Sequence, residues 1–135
     1  MEKVPHKKDI YCFLIDDDED DRKIFEMAVN KISAQIKFGY AKSGPDAIEQ
    51  LKDCKRVPDF IFLDLNMPIM SGNDCLIELK KTASVAEVPV IIYSTTITEK
   101  IVYDTLHDGA FDHIEKPSKI EKLEQYLKRI FQLRD

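Results

Sequence analysis

The chain has 135 residues, 44% of them apolar and 33% charged, which suits one globular domain, residues 1–135, with an ordinary core. Its net charge of -5 argues against nonspecific nucleic-acid binding, which needs a basic surface to displace counterions from phosphate. Cys12, Cys54 and Cys75 are odd in number and lack redox or metal-ligand spacing, so they read as reduced, buried thiols; residues 1–9, a charged N-terminal extension, precede no long apolar run, so neither leader nor membrane span is expected and the protein is placed in the cytoplasm.

Residues 11–15 are apolar and read as a strand, which runs without a turn into Asp16, Asp17, Asp18, Glu19, Asp20 and Asp21. The next segment, 19–33, has helical spacing in Ile24, Phe25, Ala28, Val29 and Ile32, with an acidic first turn that favours the positive end of its dipole and Asp18 as N-cap. Asp18 to Asp21 are assigned to capping and solvated charge. A less apolar strand over 36–41 suits an outer position in a sheet. Ser43, Gly44 and Pro45 then open a helix with Ala47, Ile48 and Leu51 on one face, expected to run until Val57, Pro58 and Asp59 stop it.

Residues 60–63 form an unbroken apolar run, as in a parallel strand covered on both faces, and Asp64 follows directly. A loop through Asn66, Met67, Pro68, Ser71 and Gly72 leads to a helix with Leu76, Ile77, Leu79 and Ala83 inward. Residues 88–93 make a fourth strand, ending in Ser94, Thr95 and Thr96. A helix over 98–107 closes at Asp108 and Gly109, a fifth strand spans 110–115, and Lys116, Pro117 and Ser118, the last as N-cap, precede a helix over 119–133.

Five βα units in unbroken alternation imply an α/β fold, a parallel sheet with helices on both faces and right-handed crossovers. Ligands of such sheets bind beyond the strands' carboxyl ends, where this chain places Asp16 and Asp17, Asp64, Ser94 and Lys116. Two carboxylates about 4 Å apart repel by roughly 4 kcal/mol at an effective dielectric near 20. Such a cluster takes up protons or a cation, and its all-oxygen donors suit a hard divalent ion better than zinc.

Four fragments in register, Phe13 to Asp17, Phe62 to Pro68 with Gly72, Ser94 with Thr95, and Lys116 with Pro117, resemble the receiver domain of two-component response regulators over essentially the whole chain. The resemblance implies a flavodoxin-like, doubly wound, five-stranded parallel sheet in the order 2-1-3-4-5. It also implies that Asp64 accepts a phosphoryl group, that Asp17, Asp64 and the backbone carbonyl of Asn66 hold Mg²⁺ or Mn²⁺ with Asp16 acting through a coordinated water, and that Ser94 and Lys116 bind phosphoryl oxygens. A cis Lys116–Pro117 bond is implied as well, aiming the lysine. The usual aromatic switch residue is His113 here, and Thr95 stands where alanine is common; His113 is expected to switch with Ser94 and to bring pH dependence.

Partners implied are a sensor histidine kinase or a histidine phosphotransfer protein as donor, a separate downstream protein, and phosphorylation-dependent homodimerisation through the fourth and fifth helices, with Tyr103 and His107 as exposed candidates. No output domain is expected after Asp135, and no enzyme activity beyond handling its own phosphoryl group. Asn66 and Thr96 are expected to flank the water path; neither is an acid, so slow phosphoryl loss is expected. A haloacid-dehalogenase-like phosphatase is the alternative, with Asp16 and Asp18 at that family's spacing. An FMN-binding flavodoxin is disfavoured because six acids would face the cofactor's phosphate.

Overall fold

The structure, a computed structural model, describes residues 10–132. The N-terminal extension and the end of the expected last helix lie outside the described residues. The elements alternate as β1 (Tyr11–Ile15), α1 (Glu19–Ile32), β2 (Lys37–Ala41), α2 (Gly44–Leu51), β3 (Phe60–Leu63), α3 (Gly72–Lys81), β4 (Val90–Ser94), α4 (Glu99–His107), β5 (Asp112–Glu115) and α5 (Ile120–Gln132). The strands form one parallel sheet in the order β2-β1-β3-β4-β5, so β2 lies at an edge and β3 at the centre.

Because side chains alternate across a strand, each strand feeds two cores. Phe13, Ile15, Ile61, Leu63, Val90 and Ile92 pack with Ala47 and Leu51 of α2 and Cys75, Leu76 and Leu79 of α3. On the other face Cys12, Leu14, Phe60, Phe62, Ile91 and Tyr93 meet Phe25, Ala28 and Val29 of α1 and Leu123, Leu127 and Ile130 of α5. Phe25 is the hub there, with its ring centroid 4.9 Å from that of Phe62 and 5.3 Å from that of Tyr93. Helix α4 is moored differently, since its one buried residue is Thr105.

Several local expectations are corrected. Ile24 is 42% exposed, and Arg22 takes a buried place in the first turns of α1. Helix α2 stops at Leu51, where the apolar stripe ends in a charged stretch, well before Pro58. Ala83 lies beyond α3 and is exposed, and Val85 fills the core instead. Helix α5 begins at Ile120, with the Lys119 carbonyl accepting from Lys122 and Leu123, so Lys119 and not Ser118 holds the cap position. Strand β4 includes Ser94 and starts after Val88 and Pro89, whose ring supplies no ladder donor, and β5 is trimmed to its last four residues. Cys12 and Cys75 are buried, burial pushing each thiol up to about 12, whereas Cys54 is only half-buried.

The joint after β3 is unusually tight. Gly72 donates its amide to the Leu65 carbonyl at 3.0 Å, and a Cβ on Gly72 would lie 2.4 Å from Leu65 Cα and 2.6 Å from the Asp64 carbonyl oxygen. Ile69, in the same loop, has φ 73° and is 91% exposed. Among the described residues, no helix is long and apolar enough to cross a membrane.

Candidate functional site at the carboxyl edge of the sheet

The ladder continues one residue past the strands and thereby fixes the site. The Asp16 amide donates to Ala41 (3.2 Å), the Asp64 amide to Ile15 (3.0 Å) and the Lys116 amide to Ser94 (2.8 Å). Asp16 and Asp64 thus sit side by side, and one carboxylate oxygen from each of Asp16, Asp17 and Asp64 lies within 4.8 Å of the others. Asp16 is fully buried and Asp64 nearly so, while Asp17 is exposed at the mouth.

Local hydrogen bonds hold the loop. Asp16 accepts from the Asp18 amide at 2.9 Å, and Asp18 accepts from the Asp21 amide at 3.0 Å, the N-cap expected of it. Arg22 donates to the Asp16 carbonyl at 2.9 Å and rests over the Tyr40 ring at 5.0 Å. Asp64 accepts from the Asn66 amide at 3.2 Å.

Lys116 enters from the far side and rests over the Tyr93 ring at 5.2 Å. Its Nζ lies 2.7 Å from Asp21, 2.8 Å from Asp16 and 3.5 Å from Asp64. Asp21, which the sequence places with the solvated charge, instead pairs with Lys116. No peptide bond among the described residues is cis, so Lys116–Pro117 is trans, contrary to expectation; the Ser94 carbonyl fixes the backbone before the proline, and the long side chain still reaches the acids.

Burial raises the Asp16 carboxyl to about 6, against the lowering effect of the Lys116 hydrogen bond, and burial likewise raises Asp64. Burial opposes the charge on Lys116, but its hydrogen bonds to Asp16 and Asp21 prevail and raise its pKa. The donor set therefore fits a hard divalent cation: all oxygen, net negative, and open to water through a cleft of about 580 Å³ lined by Asp17 to Asp21, Asp64, Asn66, Thr95 and Lys116. Thr95 joins Asn66 at this mouth. The Ser94 hydroxyl is fully buried with no hydrogen-bond partner, an orphan that suits an oxygen-rich ligand beside Asp64. His113 lies away from the cleft with Nε2 2.6 Å from Thr105 Oγ1 of α4; burial lowers its pKa, against the opposing charge of Asp112.

A family model of the response regulator receiver domain matches residues 12–128. The chain belongs to that family. The rice (Oryza sativa subsp. indica) two-component response regulator ORR8 is 31% identical over 120 residues, 89% of this chain and 97% of the relative. The Bacillus subtilis protein-glutamate methylesterase/protein-glutamine glutaminase is 33% identical over 120 residues, 87% of this chain and 32% of the relative. The chain spans about a third or less of the first curated relatives it matches, 28% and 32% of their lengths. Among solved structures, the phosphorylated cyanobacterial phytochrome response regulator RcpA superposes with a TM-score of 0.81 at 25% identity, covering 93% of each chain.

As a receiver domain this is a phosphoryl-accepting module of two-component signalling. Neither the family match nor these relatives favour the haloacid-dehalogenase alternative. The side chain that alternative would need as its second acid, Asp18, is engaged in capping α1.

Proposed function

We propose that this receiver domain takes a phosphoryl group from a phosphohistidine onto Asp64, in a reaction that depends on Mg²⁺ or Mn²⁺. The observation that carries the reading is the convergence of Asp16, Asp17 and Asp64 with the ammonium of Lys116 at the end of the central strand. An Asp64 carboxylate oxygen attacks phosphorus as the P–N bond breaks; the electron pair stays on the donor nitrogen, so a donor protonated on its other ring nitrogen leaves as neutral imidazole, and an unprotonated one takes up a proton from water. Asp17, Asp64 and the Asn66 carbonyl would hold the divalent ion, with Asp16 reaching it through water, and the ion would supply charge neutralisation for the transferring group. Lys116 pairs with one phosphoryl oxygen as a point charge. Ser94 donates its free hydroxyl to another, ending its isolation. Asn66 and Thr96 border the approach of water, and since neither is an acid the phosphoryl group is lost slowly.

The donor is a sensor histidine kinase or a histidine phosphotransfer protein, and the output is a change in binding to a separate protein, to a second copy of the chain, or to the next carrier in a relay. His113 links β5 to α4 and is the residue through which a movement of Ser94 is passed on. Enzymic character is confined to the domain's own phosphoryl group, and the cytoplasm is the compartment where such donors present it.

Incubation with Mg²⁺ and a small phosphodonor tests the reading by intact mass. Wild type gains one phosphoryl group and Asp64→Asn gains none. Equal gain in both, or none in either with beryllofluoride also failing to bind, overturns it.

A further inference from the structure

The ammonium of Lys116 carries three donors, and the acceptor holds the weakest of them. Charge-assisted N–H···O bonds run at about 2.7 to 2.9 Å; the contacts to Asp21 and Asp16 fall there at 2.7 and 2.8 Å, and the contact to Asp64, at 3.5 Å, does not. Asp21 is held by the capping turn, where its amide donates to Asp18. Asp16 is held by the Asp18 amide and, through its carbonyl, by Arg22. The lysine is therefore strung between two anchored carboxylates and drawn away from Asp64.

The third donor is the one left for a phosphoryl oxygen on Asp64, and any movement of Nζ toward Asp64 to deliver it stretches the two short bonds. Asp16 is wholly buried, so taking Lys116 from it costs more than taking it from a carboxylate that water can reach. The Asp21 side chain is 31% exposed, and water can take over from the lysine there. We propose that Asp21 is a positioning residue that holds Lys116 back from the acceptor, so that breaking the Asp21–Lys116 bond is part of forming the phosphorylated state. It rests on the phosphoryl-accepting reading above and adds to it a fourth carboxylate, which sets how readily that state is reached.

The test is a beryllofluoride titration at saturating Mg²⁺, followed by fluorine NMR, with thermal melts of each variant. Asp21→Asn keeps the shape and removes the charge, and is expected to tighten binding by about tenfold, a 1.4 kcal/mol change. Asp20→Asn removes one charge from the same turn without touching Lys116, and measures the general effect of charge on anion binding; a change of less than about threefold is expected. Asp21→Glu restores the carboxylate and is expected to return binding toward wild type. If Asp21→Asn melts early, Asp21→Ser is read in its place. Wild-type binding with Asp21→Asn equal or weaker, or with Asp20→Asn tightening as much, overturns the role of Asp21 and leaves the function intact. No binding by wild type overturns the function itself.

Discussion

Thr105 Oγ1 lies 2.6 Å from His113 Nε2 and 2.6 Å from the Ile101 carbonyl oxygen, and this fixes the order of protons. The carbonyl can only accept, so the hydroxyl donates to it and turns a lone pair to the ring. His113 therefore carries its proton on Nε2. Its lowered pKa means that the unfolded chain takes up a proton before the folded one does, so this contribution to stability is full above the ordinary histidine value of about 6.5 and is lost as pH falls through the lower folded value. Between pH 7.5 and 5.5 the wild type should lose more stability than His113→Tyr. Thr105→Val should cost about 1 to 2 kcal/mol at pH 7.5 in chemical denaturation. Equal slopes for both proteins, or a harmless Thr105→Val, would contradict the arrangement.

Proton and metal compete for the acid cluster. With the Asp16 carboxyl raised from 3.8 to about 6, the folded protein keeps a proton that the unfolded chain has released between those values. The metal-free fold accordingly loses stability from this group as pH rises through that window. A divalent cation must displace the proton, so its apparent affinity should be level above pH 7 and fall by up to about tenfold per unit below 6. Calorimetric titrations with Mg²⁺ at pH 7.5, 6.5 and 5.5 check this, and an affinity unchanged across the series would contradict it.

The buried, unpartnered hydroxyl of Ser94 gives a prediction of opposite sign for stability and binding. Replacing it with alanine removes a desolvated polar group without a partner to orphan, so Ser94→Ala should be neutral or stabilising by up to about 1 kcal/mol. The same change should weaken beryllofluoride binding several-fold. A variant both less stable and equally good at binding would show the hydroxyl to be a structural group.

Phe25 joins α1 to the sheet through the rings of Phe62, Tyr93 and Phe38, the last with its centroid at 5.8 Å. Phe25→Ala should cost about 3 to 5 kcal/mol in denaturant unfolding. Because Tyr93 also lies under Lys116, the cleft should loosen with it, seen as weaker metal binding in the folded fraction.

The architecture was legible because strands and helices carry different periods, and because Asp16, Asp64, Ser94 and Lys116 each sit at a strand's carboxyl end. Those placements follow from strand direction alone. Asp21 was not legible, since adjacent acids look alike in a sequence and only the helix's angular step separates the one that faces Lys116 from Asp20, which does not. The early stop of α2 and the exposure of Ala83 escaped for a related reason: apolar spacing marks where a helix could continue, whereas the need to reach the next strand decides where it ends. The tie from His113 to Thr105 joins residues eight apart on different elements, and no local pattern announces it.

The missing side chain at Gly72 makes the corner behind Asp64 a solid stop. With the first turn of α3 seated on the main chain of Asp64 and Leu65, a single added methyl would have nowhere to go except into the backbone that carries the Asp64 side chain. Damage to the acid cluster can therefore be inflicted from the rear of the molecule, by a residue with no charge, no chemistry and no view of the cleft. In the opposite direction, a push on α3 from outside is delivered to Asp64 without slack.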